Sequence, residues 1–291
     1  MLLSIEHHTR YVYSEPVNYT IQQLRLTPQN GFGQQVKRWD IKVLGALNPT
    51  ADAYGNSTHT LVIDSPHQAI TIVAMGEIET GLAVTSVQQN LPLAIYLRDT
   101  PLTQSSEAIR TFATQFKAAE QGQLAALEAM MHALLLRVHY LTGVTQVTTS
   151  AIDAYALGQG VCQDHTHIFI SCCRSMGLPA RYVSGYLFTA DGSLMQTHAW
   201  ADVYLTDLGW QSFDVANGCR AGEGHVRLAT GLDYRSANPV SGLRSGGGVE
   251  GMATSVLVNQ SGTASAQQRS IDIAALAQKA ESMRQMQQIQ Q

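Results

Sequence analysis

Cys162 sits in the turn Gly158-Gln159-Gly160-Val161-Cys162, where an apolar-periodic stretch begins. The first N–H groups of a helix lack intrahelical acceptors, and that end carries partial positive charge; both favour thiolate over thiol. The thiolate is the nucleophile. Attack on an amide also needs a base to share the proton and a third group to orient that base. His198 opens one strand-like run (HAWADVYL) and Asp214 ends another (WQSFDV), His198 lying 36 residues after Cys162 and Asp214 16 after that.

The two runs and the Thr206-Asp207-Leu208-Gly209 turn read as a β-hairpin. Side chains alternate along a strand, so His198 and Asp214 share a face only if paired residue numbers sum to an even value. That requires an odd loop, such as Asp207-Leu208-Gly209 with the glycine in the left-handed region. In that register Trp200 and Trp210 join the same face, where they wall a cleft or pack into the core. Asp164 falls just inside the helix start, where a carboxylate complements the dipole. Oxyanion stabilisation would come from the Cys162 backbone N–H and a second donor, for which Tyr140 and Gln159 are the candidates.

The remaining elements must hold this constellation in place. Residues 1–90 read as β: Trp39, Ile41 and Val43 alternate with charged residues, and the runs 60–63 and 70–74 are β-branched and bounded by turns. From about residue 100 the period turns helical, with Ile109, Phe112 and Phe116 following Ser105-Ser106, then a second stripe through Leu127, Met131 and Leu134. The Cys162 helix should stop at Gly177, with Pro179 beyond, and Cys172 and Cys173 fall on its apolar part as buried hydrophobes. A strand over 180–188 precedes the hairpin. Gly242 to Gly251 reads as a loop beside the cleft or a surface turn, and residues 259–291 as a glutamine-rich C-terminal helix or tail. The expected division is 1–90, a β-rich domain; 91–258, the core; and 259–291. The fold class is α+β, an antiparallel β domain followed by helices packed on an antiparallel sheet.

The chain has 291 residues, 45% apolar and 14% charged, with 18 basic and 22 acidic side chains giving a net charge of -4. No basic run suggests nucleic acid or an anionic membrane surface. The N-terminus lacks the pattern of a signal peptide, and no apolar stretch approaches the length of a membrane span, so a cytoplasmic location is expected. Four cysteines, three of them within twelve residues, make a poor disulfide framework and suit a reducing compartment. Cys162, His165, His167 and Cys172 are metal-type side chains. On one helix, however, Cys162 and His165 share a face while His167 points away. No metal and no cofactor are expected, and the sequence is silent on oligomeric state.

The blocks Gly160-Val161-Cys162-Gln163-Asp164-His165, His198 to Leu205 and Gly209 to Asp214 resemble those of the bacterial transglutaminase-like superfamily. The branch concerned comprises transglutaminase-like enzymes and cysteine proteases. Tyr11 to Leu26 resembles that branch's N-terminal region, and Arg227 to Gly248 the stretch after its catalytic aspartate. The resemblance spans residues 2–258. It implies a papain-like core with Cys162 as nucleophile, His198 as general base and then acid, and Asp214 as orienter. Val215-Ala216-Asn217 departs from the family pattern, where many relatives carry proline and threonine. The expected partner is a peptide or protein substrate bearing an amide. Hydrolysis through a thioester is the leading reading, protein-glutamine acyl transfer the alternative, and a non-catalytic peptide-binding module a further one.

Overall fold

The structure, a computed structural model, describes residues 1–84, 91–118, 122–189, 197–261 and 271–289. Five strands come first: β1 (Leu2–Leu24), β2 (Gln34–Lys42), β3 (Ala46–Ala51), β4 (Ser57–Ile63) and β5 (His67–Thr80). A 3-10 turn at Leu93–Leu97 leads to α1 (Glu107–Thr114), α2 (Gln123–Arg137), β6 (His139–Tyr140), α3 (Ala151–Leu157), β7 (Gln159–Gly160) and α4 (Cys162–Ser175). Then follow β8 (Ala180–Leu187), β9 (His198–Leu205), β10 (Gly209–Asp214), β11 (Cys219–Arg220) and β12 (His225–Gly231). The chain closes with α5 (Tyr234–Ala237), β13 (Val240–Gly246), β14 (Glu250–Gln260) and α6 (Ile273–Ile289).

β1 organises the first sheet. Its first half pairs with β5 and β14, its second half with β4 and β13, all antiparallel. The β5 register breaks between Val12 and Val17, around Pro16, which has no N–H to give a ladder. Trp39, Ile41 and Val43 turn inward as their alternation predicts and pack on Leu24, Leu61 and Ile72.

The division drawn from the sequence is corrected here. Residues 240–258, assigned above to the core, together with 259 and 260 from the C-terminal segment, complete the N-terminal sheet as β13 and β14. The glycine-rich stretch is therefore strand, turn and strand rather than a loop at the cleft. The physical reason is that β1, 23 residues long, is hydrogen-bonded along both edges, and the strands within residues 1–80 fill only one edge of each half. The C-terminal segment forms α6, which lies against β14 so closely that a Cβ on Gly251 would stand 2.1 Å from the Ala280 carbonyl oxygen.

The core is a five-stranded antiparallel sheet, ordered β11-β10-β9-β8-β12, with α4 packed on β8 and β9 and flanked by α1, α2 and α3. Ser106 and Ser150 cap α1 and α3 through their side chains, and Gly158 ends α3 in the left-handed region. α4 is buried on all sides from Gln163 to Arg174. Cys172 and Cys173 lie fully inside, and burial pushes the Cys172 thiol up to about 12, as befits an inert hydrophobe.

The two units meet at β12, an edge strand. Gln34 donates to the Arg227 carbonyl (2.9 Å) and accepts from the Arg227 N–H (2.8 Å). Asn56 does the same at Thr230, with both distances 2.8 Å. Two side-chain amides thus stand in for a neighbouring strand and leave less of the edge open to other chains. Among the described residues no helix is long and apolar enough to cross a membrane.

Candidate active site

Cys162 is the first residue of α4, half-buried, with extended Val161 before it. Val161 has no side-chain oxygen to cap the helix. Asp164 reaches back instead, and its Oδ2 accepts from the Val161 N–H (2.8 Å) and the Thr145 hydroxyl (2.7 Å). Burial raises the Asp164 carboxyl, while these hydrogen bonds oppose the rise. A Cβ on Gly160 would lie 2.6 Å from Asp164 Oδ2, so only glycine lets the turn close this tightly. Asp164 therefore braces the turn that presents Cys162.

The hairpin has the parity the argument required. Leu205 pairs with Gly209 and Ala201 with Phe213, and paired numbers sum to an even value throughout. The loop is Thr206 to Leu208, one residue earlier than drawn above, and Gly209 takes the left-handed conformation at φ 69°. His198 and Asp214 consequently share a face, and His198 Nε2 donates to Asp214 Oδ2 at 2.8 Å. Nδ1 is the ring nitrogen left to face Cys162, which acts on the His198 pKa from nearby. Burial works to lower the His198 pKa. The hydrogen bonds and charges of Asp214 and Cys162 outweigh it and raise the ring to about 10.

Asp214 is fully buried. Besides His198, its Oδ2 accepts from His225 Nε2 (2.9 Å) and Asn217 Nδ2 (2.7 Å), and its Oδ1 accepts from the Asn217 backbone N–H (3.3 Å). Burial alone would raise this carboxyl, but the donors hold it well below the usual carboxylate range. Val215-Ala216-Asn217, noted above as a departure from the family pattern, is a 3-10 turn that brings Asn217 back onto Asp214.

Tyr140 and Gln159 lie on the paired β6 and β7 beside the Cys162 turn. Tyr140 is 53% exposed and stacks on His165, and burial, then the nearby Cys162, raise its phenol. Leu141, Val144 and Val147, in the segment that follows it, are exposed apolar side chains. Trp200 is on the predicted face but 1% exposed, so it is core support: its ring lies edge-on to His225 (5.2 Å) and 6.1 Å from His198. Trp210 carries the Arg181 guanidinium 4.0 Å above its ring.

His165 and His167 do not form a metal site with Cys162. Both ring nitrogens of His165 meet backbone carbonyls, of Val161 and Val138, and His167 Nε2 accepts from the Tyr234 N–H. Among the described residues the one group with metal-ligand spacing is His198, Asp214 and His225. Its hydrogen bonds do not suit an ion. The Gly222 N–H donates to His225 Nδ1 (3.1 Å), which places the proton of the neutral ring on Nε2, aimed at Asp214. His225 and Asn217 were not found by sequence reasoning. The available signal was a histidine between a Gly222–Gly224 turn and the alternation of Val226 and Leu228 with Arg227 that follows it.

Residues 3–79 match the model of the bacterial transglutaminase-like N-terminal region, and residues 110–215 match that of the transglutaminase-like superfamily. An uncharacterized protein of Mycobacterium leprae is 26% identical over 265 residues, covering 84% of this chain and 94% of its own. Another from Mycobacterium tuberculosis is 25% identical, covering 82% and 86%. The crystal structure of a "putative cysteine protease" from Cytophaga hutchinsonii superposes with a TM-score of 0.73 at 20% identity over 90% of this chain and 91% of that one. The shared fold is the papain-like arrangement of α4 against the β8–β10 sheet, preceded by the strand domain.

Proposed function

From a chain that belongs to the bacterial transglutaminase-like superfamily, built of its N-terminal region and its core, we propose a cysteine hydrolase of peptide or protein amides. The superfamily's general kind of chemistry is thiol-dependent. The observation that carries the finer reading is the His198–Asp214 hydrogen bond on the hairpin face that meets Cys162 at the start of α4.

Cys162 as thiolate attacks the carboxamide carbon, with its proton held on His198 Nδ1. The oxyanion so formed is stabilised by the Cys162 N–H, which has no intrahelical acceptor. The C–N bond breaks, His198 protonates the leaving amine, and a Cys162 thioester remains. His198 then takes a proton from water, which attacks the thioester, releasing the acid and restoring the thiol. Asp214 keeps the ring turned and stabilises its imidazolium form.

Hydrolysis is favoured over acyl transfer because Cys162 is only half-buried, which leaves its thioester open to water. The four free cysteines suit a reducing cytoplasm. The test is incubation with a glutamine-containing peptide and a primary amine, with products weighed by mass spectrometry. Cleaved or deamidated peptide is expected, whereas amine incorporation without hydrolysis would install acyl transfer instead. C162A should abolish both turnover and labelling by a thiol-directed probe. Stoichiometric labelling that survives C162A would move the nucleophile elsewhere, and a wild type that neither turns over nor labels would make the chain a binding module.

A further inference from the structure

Asp214 Oδ2 receives three donors, and one of the two that the proposed reaction does not use is a second imidazole, His225. His225 opens β12 just after the tight turn at Gly222, where the His225 N–H donates to the Gly222 carbonyl (2.9 Å) and the Gly222 N–H donates to His225 Nδ1 (3.1 Å). A ring nitrogen that accepts a hydrogen bond carries no proton, so the neutral imidazole must hold its proton on Nε2. That proton points at the same oxygen, 2.9 Å away, that His198 Nε2 contacts at 2.8 Å. Trp200 packs edge-on against His225 and fixes the ring plane.

We propose that His225 is a positioning residue for the reaction inferred above: a neutral imidazole, locked as the Nε2–H tautomer by Gly222, which shares the Asp214 oxygen with His198 and weakens the carboxylate's hold on the His198 imidazolium. Each N–H on Oδ2 draws off part of its negative charge, so His198 faces a less basic partner than a carboxylate held by one donor. An imidazolium held too strongly is a poor general acid, and the leaving amine needs its proton. His225 thus keeps His198 able to release the proton without removing the group that orients it.

Other titratable groups face this network and stay constant in the comparison. They are Tyr140 from β6 and Cys219 from β11, which face Asp214, and Cys162 from α4 beside His198, itself faced by Tyr182 from β8 and Tyr234 from α5. Arg227, two residues along β12, is paired with Asp202.

The test reads the rings directly and so does not depend on amide turnover. In protein carrying 15N-labelled histidine, NMR should show His225 neutral as the Nε2–H tautomer at neutral pH. H225F should raise the deprotonation midpoint of His198 by about 0.5 to 1, roughly a 3- to 10-fold gain in proton affinity. H225Q, whose amide N–H can still reach Asp214, should restore the wild-type midpoint. In turnover, H225F should lower kcat several-fold at constant KM and move the alkaline limb upward. A His225 found as the Nδ1–H tautomer or as imidazolium overturns the proposal, and wild-type protein suffices for that reading even if H225F does not fold. An unmoved or lowered His198 midpoint in folded H225F also overturns it. Shifted rings in a protein that cleaves no amide would leave this inference standing and remove the hydrolase reading.

Discussion

Two carboxylates lie fully buried on one face of the β9–β10 hairpin, and their neighbours differ in kind. Asp202 is held by guanidinium groups: Arg227 forks onto both its oxygens at 2.7 and 3.0 Å, Arg181 Nε donates at 2.9 Å, and the Ser212 hydroxyl adds a bond at 2.7 Å. Asp214 is held by two imidazoles and an amide. Burial works to raise both, and donors overcome it in both, lowering Asp202 to about 2. A guanidinium does not give up its proton in a protein, so the Asp202 cluster is fixed charge and belongs to architecture. An imidazole exchanges its proton near neutrality, so the same kind of buried anion becomes a device for moving one. Arg227 and His225 stand two residues apart on β12 and supply one side chain to each cluster, so a single strand serves both uses.

The strongest way to break this contrast is to remove each anion. D214A should lower kcat/KM by about 10²- to 10⁴-fold, and it should also lower the denaturation midpoint through the donors it leaves unpaired. D202A should strand two buried guanidiniums and cost about 3–5 kcal/mol, read by urea unfolding, while any folded fraction keeps its turnover. Equal stability losses with turnover retained in D214A would erase the distinction. Next is Gly185 on β8, where a Cβ would meet the Val226 carbonyl oxygen at 2.2 Å and the Trp200 ring at 2.5 Å. G185A should destabilise by about 1–3 kcal/mol through overpacking, and it should reduce activity because Trp200 supports both His225 and His198.

The two clusters also predict opposite pH dependence. Asp202 has a folded pKa of about 2, below its unfolded value near 4, so its contribution is complete above about 4 and is lost as pH falls through 2. His198 has a folded pKa of about 10 against about 6.5 unfolded, so its contribution is complete below about 6.5 and fades as pH rises through 10. Tm measured from pH 2 to 11 should decline at both ends, and D214A should flatten the alkaline decline while leaving the Asp202 part of the acid decline. A D214A curve identical to the wild-type curve would show that the His198–Asp214 pair does not stabilise the fold. The smallest effect is expected of Q34A, about 1 kcal/mol for the lost pair of edge bonds, measured by urea unfolding with activity unchanged.

What the sequence disclosed follows from what is local. The Cys162 turn, the helix it opens and the stop at Gly177 are written within twenty residues. For the hairpin, parity reduced the question to one alternative, an odd loop that puts His198 and Asp214 on one face or an even loop that separates them, and the register decides for the odd one. Alternation tells which face a side chain occupies but not which strand lies beside it. His225 and Arg227 were invisible for that reason: β12 neighbours β8, and their carboxylate partners sit on β10 and β9. Asn217 was hidden in a segment noted only for departing from the family pattern. The return of residues 240–260 to β1 was missed for the same cause on a larger scale, since Leu3 pairs with Gln260 and no short-range pattern encodes that distance.

The return of the chain to β1 also sets an order in time. One edge of β1 finds its partners by Thr80, but the other waits for strands that begin at Val240. At about 5–20 residues per second of synthesis, the intervening 81–239 take about 10–30 s to emerge. Through that interval the longest strand of the protein shows an unsatisfied edge, the kind of surface that recruits foreign strands, while the helices and hairpin bearing Cys162, His198 and Asp214 are being made. The sheet begun first is therefore the last to close.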